Sequence, residues 1–302
     1  MTNNFDENVT DNKAYNGNPL LKKEGVQVNW TPEMVKEYVK CKNDPIYFIE
    51  TYVKIITEDG LISFKLRDFQ IELVESMIDN RYTIAKMARQ SGKTEAVRGF
   101  ILHYIIFNEE KTVGILANKG DTAKEILGKL QYSYQHLPKW LQQGVKEFNK
   151  QSFVLENGCR VIAAATSSDA VRGYTFQCLV LDETAFIENF DEFFASVYPT
   201  ITAGKHTKII MISTPKGLNH FYKIWKDSEE GRNNYNRIEA IWSDVPGRDE
   251  KWRIDTLAGI GNDQEKFDQE FNCVTGDTLI TIRDKNTGIE ATMPIKECIE
   301  WM

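Results

Sequence analysis

The sequence has no paired-cysteine motif. Its five cysteines, Cys41, Cys159, Cys178, Cys273 and Cys298, are odd in number and scattered, with no CxxC pair. That spacing suggests neither a zinc site nor a disulfide framework. Histidine is scarce as well, limited to His103, His136, His206 and His220. No apolar run reaches membrane-spanning length, so nothing points to a membrane partner. Positive charge is in deficit: 37 Lys and Arg stand against 44 Asp and Glu, a formal charge of −7. This argues against a generally basic nucleic-acid coat but leaves room for a local basic face, because only the local field steers DNA. No internal repeat is visible. The opening "MTNNFDENVTDNKAYNGNP" is polar, Asn-rich and acidic, unlike a signal peptide.

What is present is an ordinary globular composition, 41% hydrophobic and 27% charged over 302 residues. The length suits one large domain, or one domain plus appendages. Residues 1–29 have little to bury and read as a flexible arm. Order begins near Thr31, a helix cap, and Pro32, which suits a first helical turn. "TIAKMA" (83–88) reads as a strand, followed by a loop and the helical "KTEAVRGFILHYIIF". "TVGILA" (112–117) reads as a strand and 121–137 as a helix. Asn157-Gly158 between two apolar runs signals a hairpin. "CLVLDE" (178–183) and "KIIMIST" (208–214) are further apolar runs ending in polar residues. Strands alternating with amphipathic helices predict an α/β fold around a mainly parallel sheet, with ligands at the carboxyl ends of the strands.

Three strand ends carry chemistry. "MARQSGKTEA" follows a strand and opens a helix, as a phosphate loop must. Gln90, Ser91 and Gly92 supply backbone N–H groups, Lys93 reaches the β and γ phosphates, and Thr94 ligates Mg²⁺. Met87 stands where the full GxxxxGK[ST] pattern has glycine, so the tripeptide "GKT" alone decides nothing. "CLVLDETAF" then supplies Asp182 for the Mg²⁺ shell and Glu183 to polarise an attacking water. An isolated Asp-Glu would be no more than a capping pair. The Ser213 and Thr214 hydroxyls can sense the γ-phosphate, or can be turn chemistry before Pro215.

In order and spacing, these segments resemble the ATPase motor of large terminases, the DNA-packaging subunits of tailed bacteriophages, most of all the myovirus type. The resemblance spans residues 31–272 and rests on "DPIYFIETYVKI", "LRDFQIELV", "ARQSGKT", "ATSSDAVRGYTF", "LVLDETAFIENFDEFFASVYPTITAGK" and "ISTPKGLNHFYKIW". That family's phosphate loop commonly lacks the first glycine. The resemblance implies a phosphate-loop NTPase that uses ATP and Mg²⁺. It implies that Gln70 reads adenine beside Phe69, and that Arg89 stabilises charge on the transferring phosphate unless it is a surface arginine. Arg172 lies in a family motif with a phosphate-facing or a structural role. Implied partners are double-stranded DNA, the portal, the small terminase subunit and ring-forming copies of the chain. The implied location is the cytoplasm of an infected bacterial host, transiently at the procapsid portal. A helicase or a non-enzymatic nucleotide-binding module are the rival readings.

"CVTGDTLITIRDKNTGIEATMPIKECIEWM" (273–302) resembles the opening block of an intein, with strands at 278–283 and 289–293, a turn at Asn286-Thr287-Gly288 and a short helix from Pro294. The resemblance implies that Cys273 attacks the carbonyl of Asn272 to form a thioester. The helper Thr-x-x-His block is missing, since every histidine lies upstream. The expectation is an N-terminal split-intein fragment that splices only with a second polypeptide carrying the rest of the intein and the nuclease. A nuclease domain is expected to be absent from these 302 residues. A motor truncated in its last segment, with Cys273 an ordinary buried thiol, is one alternative, and a contiguous intein cut short is a second.

Overall fold

The computed structural model describes residues 13–166, 173–202, 204–273, 279–283, 288 and 290–294. An eight-stranded sheet forms the centre. Its strands are β5 (Tyr82–Met87), β6 (Thr112–Ala117), β7 (Val145–Phe148), β8 (Ser152–Leu155), β9 (Arg160–Ala165), β10 (Cys178–Asp182), β11 (Lys208–Ser213) and β12 (Asn236–Ala240). They lie in the order β12-β5-β11-β10-β6-β9-β8-β7. The six from β12 to β9 run parallel; β8 and β7 complete the edge antiparallel. Asn157-Gly158 does turn β8 into β9, as the sequence predicts.

Helices cover both faces, which is why the central strands are apolar almost without interruption. On one side lie α1 (Pro32–Asn43), α2 (Pro45–Tyr52), α3 (Asp68–Asp79), α4 (Lys93–Phe107) and α5 (Gly120–Gln135). They meet Ala85, Val113, Ile115, Val180, Ile210 and Ile212. The opposite face buries Ile84, Leu116, Leu179, Leu181, Ile209 and Met211 with residues of α6 (Phe190–Thr202) and α7 (His220–Glu229). Strand alternation thus sorts neighbouring residues into two cores. Helix caps follow the sequence: Thr31 Oγ1 accepts the Met34 N–H, and Asn219 Oδ1 accepts those of Phe221 and Tyr222.

β11 sits between β5 and β10. The loop after β5, the Asp-Glu at the end of β10 and the Ser-Thr at the end of β11 therefore open at the same edge of the parallel sheet. Beyond β12, α8 (Glu250–Gly259) and α9 (Gln264–Phe267) lead into a π-helical turn at Asp268–Asn272.

Among the elements that the sequence does not predict are two hairpins and an edge strand. Residues predicted as a flexible arm include the hairpin β1 (Ala14–Tyr15) and β2 (Asn18–Lys22). Leu21 is only 1% exposed, and the Gln142 side chain accepts the Lys22 N–H at 3.0 Å and donates to Leu20 O at 3.1 Å. These contacts, the Glu156 carboxylate that accepts the Gly25 N–H at 3.0 Å and the bridge between Lys23 and Val145 tether this part to the core, so the arm reading does not hold for residues 13–25; residues 1–12 lie outside the described set. A second hairpin joins β3 (Lys54–Thr57) to β4 (Gly60–Ser63). The third is edge strand β7. Downstream, β13 (Leu279–Arg283) and β14 (Glu290–Pro294) pair antiparallel, close to the expected strands. Pro294, expected to start a helix, instead ends β14 opposite Leu279; the residues after it lie outside the described set.

The docked hairpin gives a stability prediction. Leu21→Ala should lower the denaturant midpoint, at a cost of about 2–4 kcal/mol. Leu20→Ala, at a side chain 46% exposed, should cost under about 0.5 kcal/mol. Equal effects in urea unfolding would show that Leu21 is not part of the core.

Candidate active site

The loop after β5 is held from outside by its carbonyls. Arg248 Nη1 and Nη2 each donate to Arg89 O at 3.1 Å, and Nη2 donates to Gln90 O at 3.2 Å. Arg67 Nη1 donates to Ser91 O at 3.0 Å. Gln70 Nε2 donates to Ser91 O at 3.2 Å and Gly92 O at 3.1 Å. Four consecutive carbonyls are thereby turned away from the loop's inner side. The N–H groups of Gln90 and Gly92 have no acceptor among the described residues. Such an arrangement, at the N-terminus of α4, is an anion-binding concavity.

Glycine is required at position 92 for two reasons. Its φ is +81°, and a Cβ there would stand 2.5 Å from Gln70 Nε2. Gln90 also sits in the left-handed region, with φ 55°. Ser91 is buried, and its hydroxyl has no protein partner.

Across the site, Asp182 and Glu183 end β10. Asp182 is 4% exposed, and its Oδ1 has no hydrogen-bond partner. Burial first, then the neighbouring Glu183 charge, push its carboxyl up to about 6, although the Lys93 ammonium opposes this. Glu183 has φ 49° and ψ 46°, a left-handed conformation that costs a non-glycine residue about 1–3 kcal/mol. Its Oε1 lies 3.2 Å from Lys93 Nζ. Loop lysine and strand-end carboxylate are thus brought together by the fold. Thr94 begins α4 one residue after Lys93 and is half-buried.

The Ser213-Thr214 pair divides. Ser213 Oγ accepts the Ala185 N–H at 3.1 Å and so secures the chain just after Glu183. Thr214 Oγ1 is buried without a partner. Of the two hydroxyls, Thr214 is the one free to meet a ligand.

Three implied roles do not match the surroundings. The resemblance puts Gln70 at an adenine edge, but it is buried and engaged at both ends: its Oε1 accepts the Arg67 N–H at 3.0 Å while Nε2 holds the loop. Phe69 is buried in the core beside it. Here Gln70 shapes the phosphate loop, and reading a base would require it to release those carbonyls. Arg89 is implied to face phosphate. Its Nε instead lies 2.6 Å from Glu270 Oε2, and the side chain is 57% exposed. Cys273, the implied splicing nucleophile, is fully buried, with Sγ 3.6 Å from Ala240 O. Burial pushes its thiol up to about 12, so it is not an activated thiolate in this conformation. Arg172 lies outside the described residues.

Sequence reasoning missed four supporting residues. Arg67 and Arg248 hold the phosphate loop. His220 Nε2 donates to Thr184 O at 2.7 Å, and Asn219 Nδ2 donates to Ala185 O at 2.7 Å. His220 is stacked on Phe190, ring centroids 4.0 Å apart. Together with Ser213, these two side chains fix the backbone that keeps Glu183 in its strained conformation. "LRDFQ" and "GLNHFY" were visible as segments, but nothing local says which carbonyl each side chain will find.

A family profile described as "Terminase large subunit, T4likevirus-type, N-terminal" matches residues 84–284, about two-thirds of the chain. The chain belongs to this terminase family. The terminase chain is 26% identical over 182 residues to the large terminase subunit of Thermus phage G20c. That match covers 55% of this chain and 37% of the relative, so the chain spans about a third of the length of the curated relatives it matches. Its fold is shared with the Thermus phage P74-26 large terminase ATPase domain at TM-score 0.59 and 21% identity, over 70% of this chain and 94% of that one. The large terminase of bacteriophage D6E, solved with ATP-gamma-S, gives TM-score 0.50 and 12% identity, over 63% and 48%. The profile runs past Cys273 to residue 284, and it begins after Gln70.

The raised Asp182 pKa makes a signed prediction. A carboxyl that titrates near 6 when folded and near 3.8 when unfolded penalises the fold once it is ionised. The penalty is complete above pH 6 and fades as pH falls toward about 4. Asp182→Asn should therefore raise the Tm of the ligand-free chain at about pH 8, and raise it less at about pH 5.5. A gain that does not shrink at the lower pH would contradict a burial-strained carboxylate.

Proposed function

We propose that this terminase chain is an ATP-hydrolysing motor that drives double-stranded DNA into a phage capsid. One observation carries the reading. A loop whose carbonyls are tied back, leaving the Gln90 and Gly92 N–H groups free, stands one strand away from a buried carboxylate with an unpartnered Oδ1 and from a strained glutamate. Phosphoryl transfer asks for little else from a protein than such positioning and charge.

In this reading, the N–H groups of Gln90 and Gly92, with those of Lys93 and Thr94 at the start of α4, cradle the β and γ phosphates, and Lys93 leaves Glu183 to neutralise them. Glu183, freed of its ammonium partner, accepts a proton from the attacking water. Thr214 supplies a hydroxyl to the terminal phosphate, and Ser213 keeps Glu183 in place. Thr94 and Asp182 fit Mg²⁺. No group of three or more His, Cys, Asp or Glu able to hold a metal occurs among the described residues, and Mg²⁺ is commonly held by one or two protein ligands together with nucleotide phosphates. When bound, the ion supplies charge neutralisation to the phosphates. Arg89 contributes once it leaves Glu270. ATP is the nucleotide on family grounds, and Gln70 reads its base only after releasing the loop carbonyls. The domain runs from about residue 30 to 272. The proposed partners are double-stranded DNA, the portal, the small subunit and further copies in a ring, with action in the infected cell and at the procapsid. No described helix is long and apolar enough to cross a membrane.

The site assignment is tested by ATP turnover of the full chain. Lys93→Ala and Glu183→Gln should each lower kcat by about a hundredfold or more. Equal turnover in all three proteins would sink the assignment.

A second reading concerns residues 273–302, as the N-terminal fragment of a split intein. The β13–β14 hairpin following Cys273 and the Cys-Val-Thr-Gly-Asp-Thr pattern support it. The buried, high-pKa thiol agrees with a chain that does not react by itself. Mixing the chain with the polypeptide that supplies the remaining intein and nuclease should give a longer ligated product by mass spectrometry. Cys273→Ala should abolish that product; ligation that survives the substitution would rule out the thioester step.

A further inference from the structure

The turn that follows Glu183 is held by the end of β11 and the start of α7. Three of its backbone groups are taken there. Ser213 Oγ accepts the Ala185 N–H at 3.1 Å, His220 Nε2 donates to Thr184 O at 2.7 Å, and Asn219 Nδ2 donates to Ala185 O at 2.7 Å. A carbonyl oxygen only accepts, so the His220 ring carries a proton on Nε2.

Both donors are themselves fixed. Asn219 caps α7: its Oδ1 accepts the Phe221 and Tyr222 N–H groups at 3.0 and 3.4 Å, and its amide nitrogen is left for the turn. His220 lies flat on Phe190, with ring centroids 4.0 Å apart and planes 4° from parallel. Phe190 opens α6, is 5% exposed and stacks in turn on Phe194 at 5.1 Å. The starts of two helices thus aim two N–H groups at consecutive carbonyls.

Glu183 needs such a brace. Its φ of 49° and ψ of 46° lie in a region that a non-glycine residue occupies only when its surroundings impose it. Relaxation of that residue would redirect the Thr184 and Ala185 carbonyls, and would re-aim the carboxylate that now lies 3.2 Å from Lys93 Nζ.

We propose that Asn219 and His220 are positioning residues for hydrolysis, which lock the Thr184 and Ala185 carbonyls and so keep the Glu183 carboxylate aimed at the attacking water. The proposal rests on reading Glu183 as the group that takes the proton from that water. The ties on the phosphate loop come from Arg67, Gln70 and Arg248 instead, so nucleotide affinity is set elsewhere. The signature is a loss of kcat with KM kept.

The test is steady-state ATP turnover by the full chain, with binding of a non-hydrolysable ATP analogue measured beside it. His220→Phe keeps a ring on Phe190 and removes the N–H. Asn219→Asp keeps the helix cap and removes the amide donor. Each should lower kcat about ten- to a hundredfold, the scale of a misaimed catalytic group. KM and analogue affinity should stay within about twofold of wild type. His220→Gln, which supplies an amide N–H in place of Nε2, should return kcat to within about threefold of wild type. In a Glu183→Gln background, His220→Phe should cost no further turnover, because it acts through that carboxylate. Wild-type kcat in His220→Phe or in Asn219→Asp would overturn the proposal. So would a loss confined to KM and analogue affinity, one that His220→Gln does not recover, or one undiminished in the Glu183→Gln background. Glu183→Gln alone separates the two levels: if it turns over ATP as wild type does, the reading of Glu183 fails, and this proposal with it.

Discussion

A phosphate-binding loop works only if its carbonyls point elsewhere. Each peptide carries a donor and an acceptor, and an acceptor turned inward would repel the anion that the donors attract. In this protein the problem is solved by three side chains. Arg248 takes the carbonyls of Arg89 and Gln90, Arg67 takes that of Ser91, and Gln70 takes those of Ser91 and Gly92. Two of these side chains come from just before or within α3, and one from the segment beyond β12. The loop's shape is therefore a tertiary property, imposed from both sides of the chain, and Gly92 is needed so that Gln70 can come close enough to impose it.

The opposite wall follows the same logic of imposed strain. Glu183 occupies a left-handed conformation that its own side chain does not favour. Ser213, Asn219 and His220 bond the backbone of the two residues that follow it. β11 lies between β5 and β10, so the strand that carries Ser213 is also the one that sets the gap between loop and carboxylates. Around that gap, Ser91, Asp182 and Thr214 keep buried oxygens without protein partners. Buried polar atoms are usually satisfied. Three orphans at one edge of one sheet mark a place whose missing partner is a polar ligand.

The fold was legible where the signal was local. The strand, loop and helix of 82–107, the strand 112–117 and the Asn157-Gly158 turn all follow from periodicity and turn chemistry within short windows. β7 was missed because "VKEF" carries too little apolar alternation to stand out. The β1–β2 hairpin was missed because its partners, the core that takes Leu21, the Gln142 amide, Glu156 and the bridge to Val145, lie far along the chain. At the site, residue types were legible and partners were not. Lys93 and Glu183 meet because the sheet brings strand ends together, a contact that neither segment announces. Nothing near Ser213 says that it will serve Ala185 and leave Thr214 free. Gln70 and Arg89 look like ligand-facing groups in their own segments, yet each is claimed by protein atoms that only the folded chain supplies.

The segment that ends at Cys273 meets the phosphate loop. Glu270 holds Arg89, Phe271 packs on the aromatic cluster that carries Arg248, and Cys273 is buried against Ala240 O. The same Ala240 carbonyl accepts the Ala88 N–H at the start of the loop. The peptide that thioester chemistry would attack, between Asn272 and Cys273, therefore lies within a few residues of the loop's supports. Exposing and ionising that thiol means lifting it out of its packed position, which pulls on Phe271 and Glu270 before it reaches anything else. A displacement of Cys273 is therefore transmitted to the phosphate loop through Phe271 and Glu270.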